Sequence, residues 1–110
     1  MDQRAERIGH NEAVFRDVNE RIEVVAESFG LLDRPLDFMC ECGNASCMAA
    51  ISMTQAEYEE LRSDPRQFAV VPGHEIPDVE EVVQKRKGYD IIRKHEGLPT
   101  KLAEDTDPRS

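Results

Sequence analysis

Three cysteines, Cys40, Cys42 and Cys47, lie within eight consecutive residues, and the chain contains no other cysteine. Cysteines that only fill a hydrophobic core usually occur singly in apolar surroundings, whereas the residues between Cys42 and Cys47 are the glycine, asparagine, alanine and serine of a turn. Three thiolates at one point repel one another unless a cation lies between them. The spacing therefore predicts a metal site, and because thiolates suit zinc, Zn²⁺ is the expected ion.

The expected local structure brings the three sulfur atoms together. Cys40 and Cys42 are two residues apart at the predicted end of a strand, so that both side chains project to the same side. Gly43 is expected to adopt a positive φ, which folds the chain back and lets Cys47 reach the same point. Glu41 lies between two of these cysteines, and its side chain is expected to point to solvent.

The fourth ligand of a tetrahedral site must come from elsewhere, and the sequence has three histidines, His10, His74 and His95. His74 is the preferred candidate because it follows a predicted strand and a Pro72-Gly73 turn, from which it can reach a neighbouring strand end. His10 lies in the first turns of a predicted helix, and His95 lies near the end of the last predicted strand. These two histidines, and a water or carboxylate ligand, remain alternatives.

Two other chemistries would use the same cysteines. A [2Fe–2S] cluster with three cysteine ligands and one histidine is one alternative, although here no histidine closely follows the third cysteine. A thiol-based redox sensor or enzyme is the other, and it would need a cysteine whose pKa is lowered by a histidine or a helix N-terminus. The sequence contains no H-E-x-x-H, no G-x-S-x-G and no glycine-rich phosphate loop, so nothing in it indicates a catalytic zinc or serine site.

The cysteine block and a later P-G-H-E sequence resemble those of a group of small, mostly uncharacterised bacterial proteins. The similarity extends over about residues 4–96 and is most specific in two segments, Phe38–Cys47 and Pro72–Glu75. It implies a metal-binding role for Cys40, Cys42, Cys47 and His74. It implies no enzymatic activity.

One long helix is predicted over residues 3–29, ending at Gly30. Its apolar residues recur at alternating steps of three and four, the a/d pattern of a heptad repeat, with one asparagine in the series: Ile8, Asn11, Phe15, Val18, Ile22, Val25 and Phe29. Such a helix is about 40 Å long, more than a small core can cover. Its N-terminal turns are therefore expected to contact a partner protein or a second copy through Ile8, Asn11, Phe15, Val18 and Ile22.

The remaining sequence predicts an α+β fold with a small, mostly antiparallel sheet. Strands are predicted over residues 36–40, 48–53 and 68–71, and a Thr54/Glu57 capping box opens a helix over residues 55–63. Residues 79–86 and 89–94 are predicted as a hairpin, in preference to a short helix over residues 77–85. One zinc-stapled domain would then occupy residues 1–97, with its metal-binding core over residues 36–96. The polar residues 98–110 are predicted to be a disordered tail.

The net charge of the chain bears on which classes of molecule it can bind. It has 14 Lys+Arg and 23 Asp+Glu and a formal charge of −9, which argues against nucleic-acid binding despite a basic patch at Lys85–Lys87. No apolar run is long enough for a membrane span, and the N-terminus lacks a signal-peptide core, so a cytoplasmic location is expected. The sequence thus favours a non-enzymatic zinc-binding adaptor or regulatory protein that acts through protein–protein contacts.

Overall fold

A long helix packs against two small antiparallel sheets in the computed structural model, which describes residues 3–31 and 33–109. The elements are α1 (Gln3–Ser28), β1 (Leu36–Met39), β2 (Ala50–Met53), α2 (Gln55–Arg62), β3 (Gln67–Val70), β4 (Glu80–Arg86), β5 (Tyr89–Lys94) and α3 (Leu98–Asp105). The predicted α+β class is confirmed. No helix in these described ranges is long and apolar enough to cross a membrane.

The predicted helix cap, helix end and hairpin occur at the predicted residues. The Thr54 hydroxyl accepts a hydrogen bond from the Glu57 amide, and the Glu57 carboxylate accepts one from the Thr54 amide, so the capping box begins α2. Gly30 ends α1 with a φ of 70°. Residues 80–94 form the preferred hairpin, in which Gly88 has a φ of 89° at the turn between β4 and β5.

The two sheets meet beside the cysteine segment. β1 pairs with β2, and the second sheet has the order β3-β5-β4, with all pairs antiparallel. The chain leaving β1 runs alongside β3, where the Glu41 amide donates to the Ala69 carbonyl at 2.7 Å. The three cysteines belong to the same buried cluster as the apolar side chains of both sheets.

The heptad series of α1 does not follow the buried face of the helix. Ile8 and Phe15 are buried, Ile22 is half-buried, and Phe29 is 73% exposed. A strict seven-residue repeat drifts by about 20° per heptad on a straight helix of 3.6 residues per turn. The apolar stripe therefore rotates away from the core along α1.

The expectation that the N-terminal turns of α1 extend beyond what the chain's own core can cover is wrong. Ile8 lies beside Gly43, Gly9 packs against Leu102, and Arg4 pairs with Asp78 at 2.6 Å. The exposed apolar side chains lie instead from the middle to the C-terminal end of the helix, at Val14, Val18, Val24, Val25 and Phe29.

Polar side chains occupy much of the buried face of α1. Arg16 is fully buried, its guanidinium donates to the carbonyls of Pro65 and Ala103 at 2.8 Å each, and it lies 4.6 Å from the centre of the Phe68 ring. Lys94 is also buried. Its ammonium group donates to the carboxylate of Glu12 on α1 and to that of Glu80 on β4, at 2.7 Å each. These groups must be satisfied inside the protein because water cannot reach them.

The prediction of a disordered tail is wrong over most of its length, because Leu98–Asp105 form α3. The chain beyond it also makes ion pairs. Asp107 lies 2.5 Å from Arg62, and Arg109 pairs with Glu20, Glu23 and Glu59. The segment is polar on average, so its hydrophobicity pattern did not reveal that these ion pairs and the packing of Leu98 and Ala103 hold it to the core.

Candidate metal centre

The structure brings together the four side chains that the sequence singled out. One ligand atom from each of Cys40, Cys42, Cys47 and His74 lies within 4.8 Å of every other. His10 and His95 are exposed and are not part of this cluster. The cluster could hold a metal ion.

Two distances within the cluster match the separation of ligands on a single ion. The Nδ1 atom of His74 is 3.6 Å from Cys40 Sγ and 3.7 Å from Cys47 Sγ. A zinc ion with Zn–S bonds of about 2.3 Å and Zn–N bonds of about 2.0–2.1 Å separates a sulfur and a nitrogen ligand by about 3.6 Å. These two sulfur–nitrogen distances therefore match those between two ligands of one ion, and Nδ1 is the nitrogen of His74 that faces the sulfur atoms.

The cysteine segment is shaped by its own backbone hydrogen bonds. The Cys40 amide donates to the Ala49 carbonyl at 3.0 Å, which extends the pairing of β1 and β2. Asn44 forms the turn, because its side-chain oxygen accepts from the Ser46 amide at 2.9 Å and its carbonyl accepts from the Cys47 amide at 3.0 Å. This turn carries Cys47 back toward Cys40.

Gly43 is required for space rather than for a positive φ, which corrects the sequence-based expectation. The glycines with positive φ among the described residues do not include it. A Cβ atom at Gly43 would lie 2.6 Å from the Ile8 side chain and 2.9 Å from the Ile76 side chain. The cysteine segment can thus approach α1 closely only with glycine at this position.

His74 is placed by the turn that follows β3. Gly73 has a φ of 93°, which is easy only for glycine, and the His74 amide donates to the Val71 carbonyl at 2.9 Å. The imidazole is exposed, whereas all three cysteines are buried. A cleft of about 240 Å³ opens beside it, lined by Cys42, Asn44, Gly73, His74 and Ile76.

The thiols need a compensating cation to ionise at this position. Burial raises the pKa of the Cys40 thiol above its usual range, although a hydrogen bond from the Val71 amide to its sulfur at 3.2 Å acts in the opposite direction. Burial also raises the pKa of the Cys42 thiol. A bound metal reverses this preference because it is itself the nearest positive charge.

Glu41 is fully buried, so the expectation that it points to solvent is wrong. Its carboxylate accepts hydrogen bonds from the Asn19 side chain at 2.8 Å, the Tyr58 hydroxyl at 3.0 Å and the Ala69 amide at 3.1 Å. Burial raises the pKa of this carboxyl group, and the three donors act in the opposite direction. Glu41 therefore joins the segment between two cysteines to α1, α2 and β3.

Two asparagines of α1 support the cysteine segment as well. The Asn11 side chain donates to the Gly43 carbonyl at 2.8 Å. Asn19 donates to the Met39 carbonyl at 2.9 Å and accepts from the Met39 amide at 2.7 Å. The sequence predicted Asn11 at a contact with a partner or a second copy, and here it binds the chain's own backbone. Asn11 could be singled out because it is a polar residue in an otherwise apolar series. No feature of the sequence around Asn19 indicates that it is buried.

Comparisons with protein-family models, with curated proteins and with solved structures give no match for this chain. No family is shown. The functional interpretation is therefore based on the residues and geometry of the site itself.

Proposed function

We propose that Cys40, Cys42, Cys47 and His74 bind one Zn²⁺ and that the protein is a non-enzymatic adaptor or regulatory protein. The observation that carries this proposal is the convergence of the four ligand atoms within 4.8 Å of one another. Three thiolates and one imidazole form one of the usual ligand sets of structural zinc sites. The ion would join the segment after β1 to the turn after β3.

A single ion accounts for the geometry better than an iron–sulfur cluster does. A [2Fe–2S] cluster divides its four protein ligands between two iron atoms, so that ligands on different irons lie further apart than two ligands of one ion. All four ligand atoms here lie within 4.8 Å of one another. This compact arrangement supports zinc as the ion.

A structural role is favoured over a catalytic one because the protein supplies four ligands. Catalytic zinc sites have three protein ligands and keep the fourth position for water or substrate. The two carboxylates closest in sequence to the ligands are also engaged, since Glu41 is buried among three donors and Glu75 accepts from the Gly73 amide at 3.1 Å. Neither is placed as a free general base.

The exposed apolar side chains of α1 supply a surface for protein contacts, which we name the α1 apolar surface: Val14, Val18, Val24, Val25 and Phe29. Two shallow apolar clefts lie along it, with Val25 and Arg21 lining both. Contiguous apolar surface of this kind is typical of interaction sites. We propose that a second copy of the chain or a partner protein covers this surface.

Native mass spectrometry of the purified protein tests the metal site, and it reports the metal and subunit counts together. We expect one zinc per chain, and we expect chelation to unfold or loosen the protein because binding and folding of such sites are coupled. Cys47→Ser should lose the ion, whereas Ser46→Ala, an exposed neighbour, should keep it. A protein that carries no zinc and stays folded in a strong chelator would contradict the proposal, and iron with labile sulfide would favour a cluster.

Sedimentation at increasing protein concentration tests the α1 apolar surface. If the surface joins two copies, the wild-type chain should dimerise and Val25→Asp should remain monomeric, because a charge would be buried at the contact. Glu27→Gln, an exposed change on the same helix, serves as the control. A monomer at every concentration would exclude self-association and leave a different protein as the partner.

A further inference from the structure

We infer that the cleft beside His74 is the route by which an outside nitrogen donor of the imidazole class reaches the bound metal and replaces His74. This inference rests on the proposed metal site and goes beyond it. The ion would then exchange through one face of the protein while the chain stays folded.

The four ligands differ sharply in their access to solvent. Cys40 and Cys42 are 0% and 1% exposed, Cys47 is 8% exposed, and His74 is an exposed residue. The sulfur ligands are covered by the apolar cluster formed by both sheets. An incoming ligand therefore has its shortest path to the ion from the side of the imidazole.

The imidazole makes polar contacts with the rest of the described chain through one ring nitrogen only. Its Nδ1 atom faces Cys40 and Cys47, and no hydrogen bond from residues 3–31 or 33–109 reaches its other nitrogen, Nε2. Histidine ligands almost always donate their second ring N–H to a carboxylate, carbonyl or water, which fixes the orientation of the ring. Among the described residues no protein group therefore fixes the orientation of the ring, and solvent is the partner left for its Nε2 atom.

The cleft has room for the incoming donor. Its volume is about 240 Å³, and its lining includes Cys42 as well as His74, so it extends from solvent to the ligand cluster. A water molecule occupies about 30 Å³ in the liquid. The cleft can thus admit a group of several heavy atoms, such as an imidazole ring.

Charge favours an uncharged donor over a thiolate or a carboxylate. Three thiolates around a divalent ion leave the centre with one negative charge, and the chain as a whole has a formal charge of −9. An anionic ligand would be repelled as it approached, whereas a neutral imidazole would not. The replacement exchanges one neutral nitrogen ligand for another, so the charge of the centre stays the same.

Metal-transfer kinetics of the zinc-loaded full chain test this inference. The chromophoric chelator 4-(2-pyridylazo)resorcinol is held at one concentration, and the transfer rate is measured while imidazole is increased at constant ionic strength and pH. We expect the wild-type rate to rise in proportion to imidazole and to respond less to equal concentrations of acetate. His74→Ala should transfer zinc faster by at least about 10–100-fold, because loss of a ligand is expected to weaken metal binding no less than loss of a ligand's hydrogen-bond partner, which costs about 10–100-fold in affinity. His74→Cys should be slower than the wild type because a thiolate binds zinc more strongly.

His10→Ala is the matched control, because His10 is an exposed histidine outside the cluster, and it should behave as the wild type. A wild-type rate that does not depend on imidazole would overturn the inference, since it would mean that slow opening of the fold limits release. Equal rates for the wild type, His74→Ala and His74→Cys would overturn it as well. A chain that binds no stoichiometric metal would instead contradict the proposed function, so the two failures can be distinguished.

Discussion

The strongest test of the structure is the removal of the Glu41 carboxylate. Sequence reasoning expected this side chain to point to solvent, and the structure buries it completely among three hydrogen-bond donors. In Glu41→Ala, the Asn19 amide, the Tyr58 hydroxyl and the Ala69 N–H all lose their acceptor. The variant also leaves a cavity between the cysteine segment and β3.

The expected loss follows from the number of orphaned donors. A buried donor without a partner costs about 1–3 kcal/mol, and water entering the cavity offsets part of the total. We therefore expect Glu41→Ala to lower the free energy of unfolding by about 3–5 kcal/mol. The free energy of unfolding of a domain is about 5–15 kcal/mol in total, so this single change removes a large share of it.

Urea unfolding of the metal-loaded protein, followed by circular dichroism, measures the effect. Glu27→Ala is the matched control, because that glutamate is exposed on α1 and should change stability by less than about 0.5 kcal/mol. If Glu41→Ala fails to fold, Tyr58→Phe tests the same contact, since it removes one donor and keeps the ring stacked on Phe38 at 4.6 Å. We expect it to cost about 1–3 kcal/mol.

Equal unfolding midpoints for Glu41→Ala and Glu27→Ala would refute the buried position of Glu41. A loss of stability without any change in metal affinity would refute its role in holding the cysteine segment. The affinity is expected to fall by about 10–100-fold, because Glu41 lies between two ligands and orients both.

Three further predictions concern the polar contacts around the core. Deletion of residues 98–110 should lower the free energy of unfolding by at least about 2 kcal/mol in urea titrations, because buried guanidinium groups lose acceptors on that segment. Lys94→Ala should cost about 3–5 kcal/mol by the same assay, since it leaves two buried carboxylates without their cation. Burial and the neighbouring Glu59 raise the pKa of Glu23 to about 7. The native state then keeps a proton that the unfolded chain has released, so stability should fall as pH rises from about 4.5 to 7, and thermal melts of Glu23→Gln should show a weaker fall.

Much of the local structure could be read from the sequence because it depends on neighbouring residues. The capping box at Thr54, the turn at Gly88 and the end of α1 at Gly30 each follow from the conformation or hydrogen bonds of a few adjacent positions. The clustering of the cysteines was also readable, since thiols that are so close in sequence are hard to explain by packing alone. His74 could be selected for a similar reason, because it follows a turn at the end of a predicted strand.

The errors arose where burial depends on contacts between distant residues. The heptad series on α1 predicted a stripe whose N-terminal part contacts a partner or a second copy, but the covered face is set by α3 and the sheets, and the series drifts away from it. Phe29 is consequently exposed, while Arg16 is buried, and no property of either residue alone could indicate this. Residues 98–110 looked too polar to fold because their polar groups bond to side chains about 45 to 90 positions away in the sequence. Ala103, Thr106 and Asp107 accept from buried arginines, and Arg109 donates to glutamates of α1.

The sequence by itself therefore determined the α+β class, most element boundaries and the four candidate ligands. Only the tertiary structure decided that the ligand atoms share one point, that Glu41 faces inward, and that His74 is the exposed member of the set. The physical reason is the range of the interactions. Turns, caps and ligand spacing are set within a few residues, whereas burial and access to solvent are set by what packs from the rest of the chain.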